Sequence, residues 1–349
     1  MKRRMKVCCG LMLAVALCII ELDTVYAQQN KSEIVSVYPI LPGTEEWTNL
    51  GTVQNKKEAC RISDVTLKKM TDEELIQATL DYPFLVDIFI YSDYSIGVQS
   101  VCKDCDALKE LLSRDTAKAS LVIFLKKRAK ASLESITADE EFENEAIMAI
   151  MAYNDEIRTI LDDDESELIN NNSNMTRLVK DQVNGTRMAY IYTPNGSQVA
   201  YVNHTCSHNT LDFHEKEDEK IETTYGVTAI TTGSCCYNCH SYAWYSTSTS
   251  NSFWIPDPMI YMTDGSYSLV MSGMNSNSLS AQSGDRVFYG TAAGVVTSHS
   301  ARLVSSPSVY ALGSRMARSK WGIYGVFEHA ISNVPSAYLD AQSNVSVWR

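Results

Sequence analysis

The chain is 349 residues long and acidic, since 42 Asp and Glu residues against 30 Lys and Arg give a formal net charge of −12. A surplus of negative charge disfavours the phosphate backbone, so the composition argues against nucleic acid as a partner. Hydrophobic residues make up 45% of the sequence, and the length is sufficient for two domains with buried cores.

The first 27 residues have the layout of a secretory signal peptide. A basic start that includes Lys2 and Arg3 precedes the apolar stretch from Leu11 to Ile20, and small residues lead to an expected cleavage after Ala27. The apolar stretch is too short for a transmembrane helix. The sequence therefore predicts an exported protein, secreted or associated with the cell wall, without stable membrane insertion after the signal is removed.

Residues 28–178 are predicted to form a mainly helical accessory domain. The segment Thr71 to Glu74 has the capping-box pattern that begins a helix, and Ser63 is a candidate cap for a shorter one. Helical spacing of apolar residues is strongest over 143–161, and 107–113 and 117–127 are predicted as further helices. Nothing in this half has a catalytic neighbourhood.

Seven of the ten cysteines follow the signal segment, and an odd number in an exported protein leaves at least one thiol unpaired or pairing between molecules. One nucleophile and up to three disulfides fit that number. The motif Cys102-Lys103-Asp104-Cys105 favours a structural disulfide or two idle thiols over a redox or metal function, because no second cysteine pair stands at metal-binding spacing.

Residues 179–222 are predicted to form a β-hairpin and a charged connector. The turn from Pro194 to Ser197 separates two short runs of strand-forming residues. The segment from Phe213 to Glu222 is interpreted as a charged loop. His204, Cys206 and His208 would share one face of a strand, but no matching ligand cluster follows them. The sequence therefore predicts no metal and no cofactor.

Residues 223–349 carry the pattern typical of a cysteine nucleophile and its base. Cys239 opens an apolar helix for which Asn238 is a candidate cap, and His299 opens a strand. A thiol has an ordinary pKa of about 8.5, and a helix start or a nearby imidazolium favours the reactive thiolate. His240, beside the cysteine, is expected to face a groove or the surface. Cys235 and Cys236 are rival nucleophiles.

Short strands surround this pair in the predicted order. The expected strand segments are 225–230, 286–290, 299–305, 316–324 and 326–331. The fold class predicted for the whole chain is α+β: a cysteine-bearing helix packed on an antiparallel sheet, preceded by the mainly helical domain.

The order of these motifs resembles the papain-like cell-wall cysteine peptidases and amidases of the NlpC-type and CHAP-like group. The resemblance covers the C-terminal part only: the Cys239 helix, the turn Gly284-Asp285 with its strand, and the strand beginning His299-Ser300-Ala301. It implies a papain-like catalytic domain and cleavage of peptide or amide bonds in peptidoglycan or a peptide substrate. It also implies Cys239 as nucleophile and His299 as base.

The chain departs from that group at two places. Asn238 and His240 flank the cysteine where the group commonly has Asp and Ser, and no glutamine stands where papains carry their oxyanion donor. The third polar group that orients the histidine is predicted to be Ser319, with Lys320 and His329 as alternatives. Two other functions stay open: an inactive cell-surface binding module, and a transamidase or toxin on the same scaffold.

Overall fold

A computed structural model describes residues 36–91, 94–131, 137–159, 189–203, 211–291, 294–305, 310–339 and 344–349. The predicted signal peptide, the expected domain boundary at 178/179 and the group His204, Cys206 and His208 lie outside the described residues. The described chain is a mixture of helices and antiparallel strands, which confirms the α+β class.

Helices form the N-terminal half, and five of the ten described there begin after a Thr or Ser cap. Thr71 and Glu74 exchange both bonds of the capping box, and Ser63 accepts from the amide of Thr66, as predicted. The helices are α1 Glu45–Asn49, α2 Val53–Ala59, α3 Asp64–Leu67, α4 Asp72–Leu80, a 3₁₀ helix Leu85–Phe89, α5 Tyr94–Asp104, α6 Asp106–Ser113, α7 Asp115–Ala131, α8 Ala138–Tyr153 and α9 Asp155–Arg158.

A two-stranded hairpin follows, as the sequence predicts. Strand β1 (Ala189–Tyr192) pairs in register with β2 (Gln198–Tyr201), and Gly196 takes the left-handed conformation of the turn with φ +84°. The predicted charged loop is wrong, because its residues lie in helix α10, Leu211–Tyr225. Phe213, Ile221 and Tyr225 bury one stripe of that helix.

A seven-stranded antiparallel sheet forms the C-terminal half, in the order β3-β8-β7-β6-β5-β9-β4. The predicted strand 316–324 is shorter than expected, since β7 ends at Lys320 and a turn follows. Strands β4 and β9 were not predicted. The strands are β3 Thr228–Thr231, β4 Leu269–Ser272, β5 Arg286–Thr291, β6 Gly294–Leu303, β7 Met316–Lys320, β8 Val326–Ala330 and β9 Asn344–Trp348.

The β7–β8 turn joins the sheet to the helical half. The Ile323 amide donates to the Phe89 carbonyl at 3.3 Å, and the Tyr324 hydroxyl donates to the Val86 carbonyl at 2.8 Å. Gly322 has φ +51°, and a Cβ there would lie 1.9 Å from the Phe89 oxygen. Residues Tyr38–Arg349 accordingly form one compact unit. In the part of the chain that is described, no helix has the length and apolarity needed to cross a membrane.

Candidate active site

Cys239 is the first helical residue after a side-chain cap. The Asn238 Oδ1 accepts from the amides of Ser241 at 3.1 Å and Ile255 at 3.2 Å, and its Nδ2 donates to the Ile255 carbonyl at 2.8 Å. The cap predicted for Asn238 is confirmed. The helix is short and becomes π-helical over Ser241–Tyr245. The Asn238 cap, and not the dipole of a long helix, is therefore the main local influence on the thiol.

The Cys239 thiol lies where strands β6 and β7 separate. The β6–β7 pairing consists of Arg302 with Arg318 and Leu303 with Ala317, and it does not extend to Ser300. Burial raises the pKa of the Cys239 thiol to about 11, although the backbone amides of Ser300 and His240 and the Lys320 ammonium favour the thiolate. The resting site therefore holds a neutral thiol beside backbone hydrogen-bond donors.

His299 lies inside β6 and not at its start, so the prediction that it opens a strand is wrong. Its side chain lies on the opposite face of β6 from those of its neighbours Ser298 and Ser300. Its ring stacks on Tyr338, with the ring centroids 4.2 Å apart and the planes 17° from parallel. Neither ring nitrogen has a hydrogen-bond partner among the described residues, although the side chain is fully buried. Burial lowers the pKa of His299 well below 6.5. A buried imidazole with both nitrogens unpaired is unusual enough to require an explanation.

The structure brings Cys239 and His299 to the same part of β6 without a hydrogen bond between them. The Ser300 amide beside Cys239 belongs to the residue directly after His299. Tyr338, which stacks on His299, has its pKa raised by burial and by the nearby Cys239 thiol. Tyr338 thus contacts one predicted catalytic side chain and feels the charge of the other, and the partnership of Cys239 with His299 stays a prediction.

His240 is buried, so its expected position in a groove or at the surface is wrong. Its Nδ1 lies 2.8 Å from the Ser300 Oγ and its Nε2 lies 3.2 Å from the Ser298 Oγ. Trp244 Nε1 donates to the same Ser300 hydroxyl at 2.8 Å. Burial lowers the pKa of His240 to about 3, so the ring is neutral at neutral pH.

Ser319 is bonded to His329 and Trp321. The His329 Nδ1 lies 2.8 Å from the Ala330 carbonyl, which can only accept, so the other nitrogen, Nε2, accepts from the Ser319 hydroxyl at 2.7 Å. Trp321 Nε1 donates to the Ser319 Oγ at 2.8 Å. No hydrogen bond among the described residues joins Ser319, predicted to orient His299, to that ring.

Lys320, the other polar residue at the end of β7, binds backbone carbonyls. Its ammonium donates to the carbonyls of Ser234 and Gly322, each at 2.7 Å, and to that of Tyr324. The side chain is fully buried, and its nitrogen lies 5.2 Å from the centre of the Tyr237 ring. Lys320 therefore ties the loop that leads into Cys239 to the β7–β8 turn.

A 3₁₀ turn, Ser336–Leu339, covers the His299 side of the site. The Tyr338 hydroxyl donates to the Ile90 carbonyl at 3.1 Å, and the Ser336 hydroxyl accepts from the Lys57 ammonium at 3.0 Å. The ring of Tyr91 packs against Tyr338 with a centroid distance of 5.1 Å. The sequence analysis missed this cover, since its contacts join residues far apart in the chain.

The cysteines of the described chain are free thiols: Cys60, Cys102, Cys105, Cys235, Cys236 and Cys239. The disulfide alternative for Cys102 and Cys105 is therefore wrong, and the two are unpaired as the second alternative states. The Cys105 sulfur instead caps α6 by accepting from the Leu108 amide at 3.4 Å. Among the described residues, no group of three or more His, Cys, Asp or Glu side chains has a metal-binding arrangement.

Comparison of the chain with models of known protein families, with curated proteins and with solved structures finds no match. The geometry of the site is therefore the evidence from which its function is argued.

Proposed function

We propose that this protein is an exported cysteine hydrolase that cleaves peptide or amide bonds, with peptidoglycan as the expected substrate, Cys239 as nucleophile and His299 as base. One observation carries the proposal: the buried His299 ring has two unpartnered nitrogens beside the strand amide that faces the Cys239 sulfur. Catalytic groups are where unsatisfied buried polar atoms are expected in a folded protein.

The proposed reaction follows from the protonation states of the two groups. His299, neutral at neutral pH, takes the proton of the Cys239 thiol as the sulfur attacks the substrate carbonyl. The backbone amides of Ser300 and His240 are candidate donors to the negative charge that develops. The imidazolium then protonates the leaving amine, and water, activated by the neutral ring, releases the acyl group from sulfur.

Substrate access requires the cover over the site to move. Cys239 is 4% exposed and His299 is not exposed at all. Tyr338 stacks on the imidazole from the side opposite to Ser298 and Ser300, so displacement of the 336–339 turn is the proposed route to the base. Proton transfer through Ser319 would also require a change, because its hydroxyl donates to His329 in the described state.

The papain-like architecture is part of the same proposal. A capped Cys239 that begins a helical segment, packed against an antiparallel sheet with His299 on a central strand, supports it. The secreted or cell-wall location rests on the signal-peptide pattern of the first 27 residues. Ser319, Lys320 and His329 stay the candidates for the third polar group.

The test is digestion of purified peptidoglycan, with the released fragments identified by mass spectrometry. The unmodified protein is expected to release fragments, and Cys239→Ala and His299→Ala are expected to release none while retaining the native circular dichroism spectrum. Cys236→Ala is the matched control, because it removes a neighbouring free thiol and should leave cleavage intact. Fragments released equally by Cys239→Ala would refute the nucleophile.

A binding module is the second candidate, and two features of the described structure favour it. The thiol is neutral and buried, while Tyr190 and Tyr192 on β1 are 48% and 59% exposed, as suits contact with a sugar or peptide chain. Co-sedimentation with peptidoglycan that is unaffected by Cys239→Ala, without any fragments, would identify this function. Covalent transfer of an added amine onto the substrate would instead indicate a transamidase.

A further inference from the structure

We propose that Lys320 is a positioning residue of the Cys239 site: its ammonium fixes the loop that leads into the cysteine and supplies positive charge that stabilises the thiolate. The inference deepens the proposed function and rests on Cys239 being the nucleophile. It goes beyond the expected role of a third residue that orients the histidine.

The first argument is the set of acceptors around the ammonium. Lys320 donates to the carbonyls of Ser234, Gly322 and Tyr324, so one side chain fastens the loop before Cys239 to the β7–β8 turn. Three carbonyl oxygens satisfy the three donors of an ammonium. The ammonium is thus held in a fixed place between the loop and the turn.

A carboxylate, that of Asp218, also holds the loop before Cys239 and the β7–β8 turn together. Asp218 on α10 accepts from the Gly233 amide at 2.7 Å and from the Gly325 amide at 2.6 Å. Gly233 precedes Ser234, and Gly325 follows Tyr324, so Asp218 and Lys320 bind neighbouring residues of the same loop and turn. This double attachment leaves the segment from Gly233 to Cys239 little freedom to shift relative to β7.

The second argument concerns the histidines of the described residues. His240 on its own segment, His299 on β6 and His329 on β8 lie near the thiol, and His214 on α10 lies beside Gly233 at the start of the loop. Burial lowers the pKa of His240 to about 3, that of His329 to about 4, and that of His299 well below 6.5. All three are neutral at neutral pH, so none supplies the imidazolium that commonly stabilises a thiolate.

Lys320 fills that electrostatic role. Its nitrogen contacts the carbonyl of Ser234 and lies 5.2 Å from the Tyr237 ring, both shortly before Cys239 in the chain. Its charge lowers the pKa of the thiol, against the larger opposing effect of burial. Other titratable groups around the site are Tyr338 on the covering turn, Tyr237 and Cys236 on the loop, and Asp218 on α10, whose charged form the Lys320 ammonium also favours. The charges of Arg302 and Arg318 act on Tyr242, in the helical segment after Cys239.

The test is the pH dependence of iodoacetamide labelling at Cys239, followed by peptide mass spectrometry on the full chain without substrate. Lys320→Met and Lys320→Gln both remove the charge, and the glutamine amide retains donors for the carbonyls. Arg318→Met is the matched control, because Arg318 lies on the same strand, is 39% exposed and pairs with Glu328.

Both Lys320 variants are expected to label about tenfold more slowly at neutral pH, where an ordinary ammonium is charged and a small fraction of the thiol is ionised. The control should follow the unmodified protein. A purely structural lysine predicts the opposite sign, since loosening the loop exposes the thiol and speeds labelling. An unchanged or faster rate at neutral pH in the folded Lys320→Gln protein would overturn the proposal.

The labelling experiment tests the role of Lys320, and the digestion experiment tests the proposed function, so either can fail without the other. If Cys239→Ala still digests peptidoglycan, the proposed function is wrong, and the labelling rates at neutral pH still measure the effect of Lys320 on the thiol. If digestion depends on Cys239 but the Lys320 variants label as the unmodified protein does, the positioning role alone is wrong.

Discussion

At the scale of single residues, two side chains of the site, Asn238 and Lys320, hold backbone groups. Asn238 binds two amides and one carbonyl, and Lys320 binds three carbonyls. Such contacts fix where Cys239 lies without placing a polar side chain on the sulfur itself. The thiol is left for a substrate, and its position is decided by the peptide groups on either side of it.

The cap is expected to be the most sensitive of these contacts to a small change. Asn238→Ala removes two accepted bonds and one donated bond in a buried place, so we expect a loss of about 2 to 4 kcal/mol in the free energy of unfolding. Asn238→Asp keeps the acceptor for the Ser241 and Ile255 amides and loses the donor. Urea unfolding should therefore rank Asp between Asn and Ala, and equal values for Asp and Ala would contradict the capping role.

At the scale of elements, two turns attach the sheet to the helical half. The β7–β8 turn meets the 3₁₀ helix Leu85–Phe89 through Gly322, and the 336–339 turn meets Ile90 and Tyr91 through Tyr338. Both attachments lie beside the site, so a change at either turn is expected to reach Cys239 and His299.

Gly322→Ala tests the first attachment. A left-handed backbone and a Cβ 1.9 Å from the Phe89 oxygen together predict a loss of more than about 2 kcal/mol in the free energy of unfolding. Gly51→Ala is the matched control, because Gly51 also has a positive φ, +74°, and a Cβ there meets nothing within 4 Å. Chemical denaturation of the two variants separates the close contact from the backbone conformation, and equal losses would mean that the contact carries no energy.

Tyr338→Ala tests the cover. Removing the ring uncovers the His299 face, so the 336–339 turn no longer has to open before iodoacetamide can reach Cys239. Labelling of Cys239 is therefore expected to become about tenfold faster or more. Tyr338→Phe retains the stacking on His299 and loses only the bond to the Ile90 carbonyl, so its effect should be smaller. Tyr310→Ala, at a 70% exposed position, serves as control. A labelling rate unchanged by Tyr338→Ala would show that this turn does not limit access.

The sequence predicts best those elements whose signals are local. Thr71 with Glu74 and Asn238 with Ser241 cap their helices within one turn, and both caps are confirmed. Helix α10 was missed because its buried stripe of Phe213, Ile221 and Tyr225 is interrupted by a buried carboxylate, Glu217. Strand β9 was missed despite the alternation of its buried valines, since five residues at a chain end give a weak pattern.

In the candidate site too, the features with local signals were predictable and those made by long-range contacts were not. The order of cysteine and histidine was readable because Cys239 begins its helix and His299 lies within a recognisable strand segment. The cover by Tyr338 and the carbonyl set of Lys320 required the three-dimensional structure. These contacts join residues with no shared periodicity: Tyr338 meets Ile90, and Lys320 meets Ser234. The burial of His240 was not predictable either, because nothing in the sequence around it indicates a ring whose pKa is lowered to about 3.

At the scale of the whole molecule, buried histidines make stability depend on pH. Burial lowers the pKa of His329 from 6.5 to about 4, so the unfolded chain takes up this proton first as the pH falls. The contribution is present above pH 6.5 and is lost toward pH 4. We expect His329→Gln to remove roughly 3 kcal/mol of that acid-induced loss. Urea unfolding of both proteins across this range measures it, and parallel curves would contradict the assignment.

Glu217 is expected to act with the opposite sign. Burial raises the pKa of its carboxyl from 4.5 to about 7, despite the neighbouring Lys220. Because the folded chain binds this proton more tightly, the contribution to stability is present below pH 4.5 and is lost as the pH rises through about 7. Glu217→Gln should therefore flatten the decline above pH 4.5, and a steeper decline in the same unfolding measurements would contradict it.

The bond from Tyr338 to Ile90 spans 248 positions along the chain, and this separation has a consequence for how the protein is made. The contact forms only after Tyr338 has been synthesised, long after Ile90, and long-range contacts of this kind are slow to form during folding. Until then the Cys239 thiol is uncovered in the nascent chain, and Cys235 and Cys236 lie just before it in the sequence. In an oxidising compartment, the speed with which the last turn closes would decide whether Cys239 arrives in the folded protein as a thiol or as a misplaced disulfide.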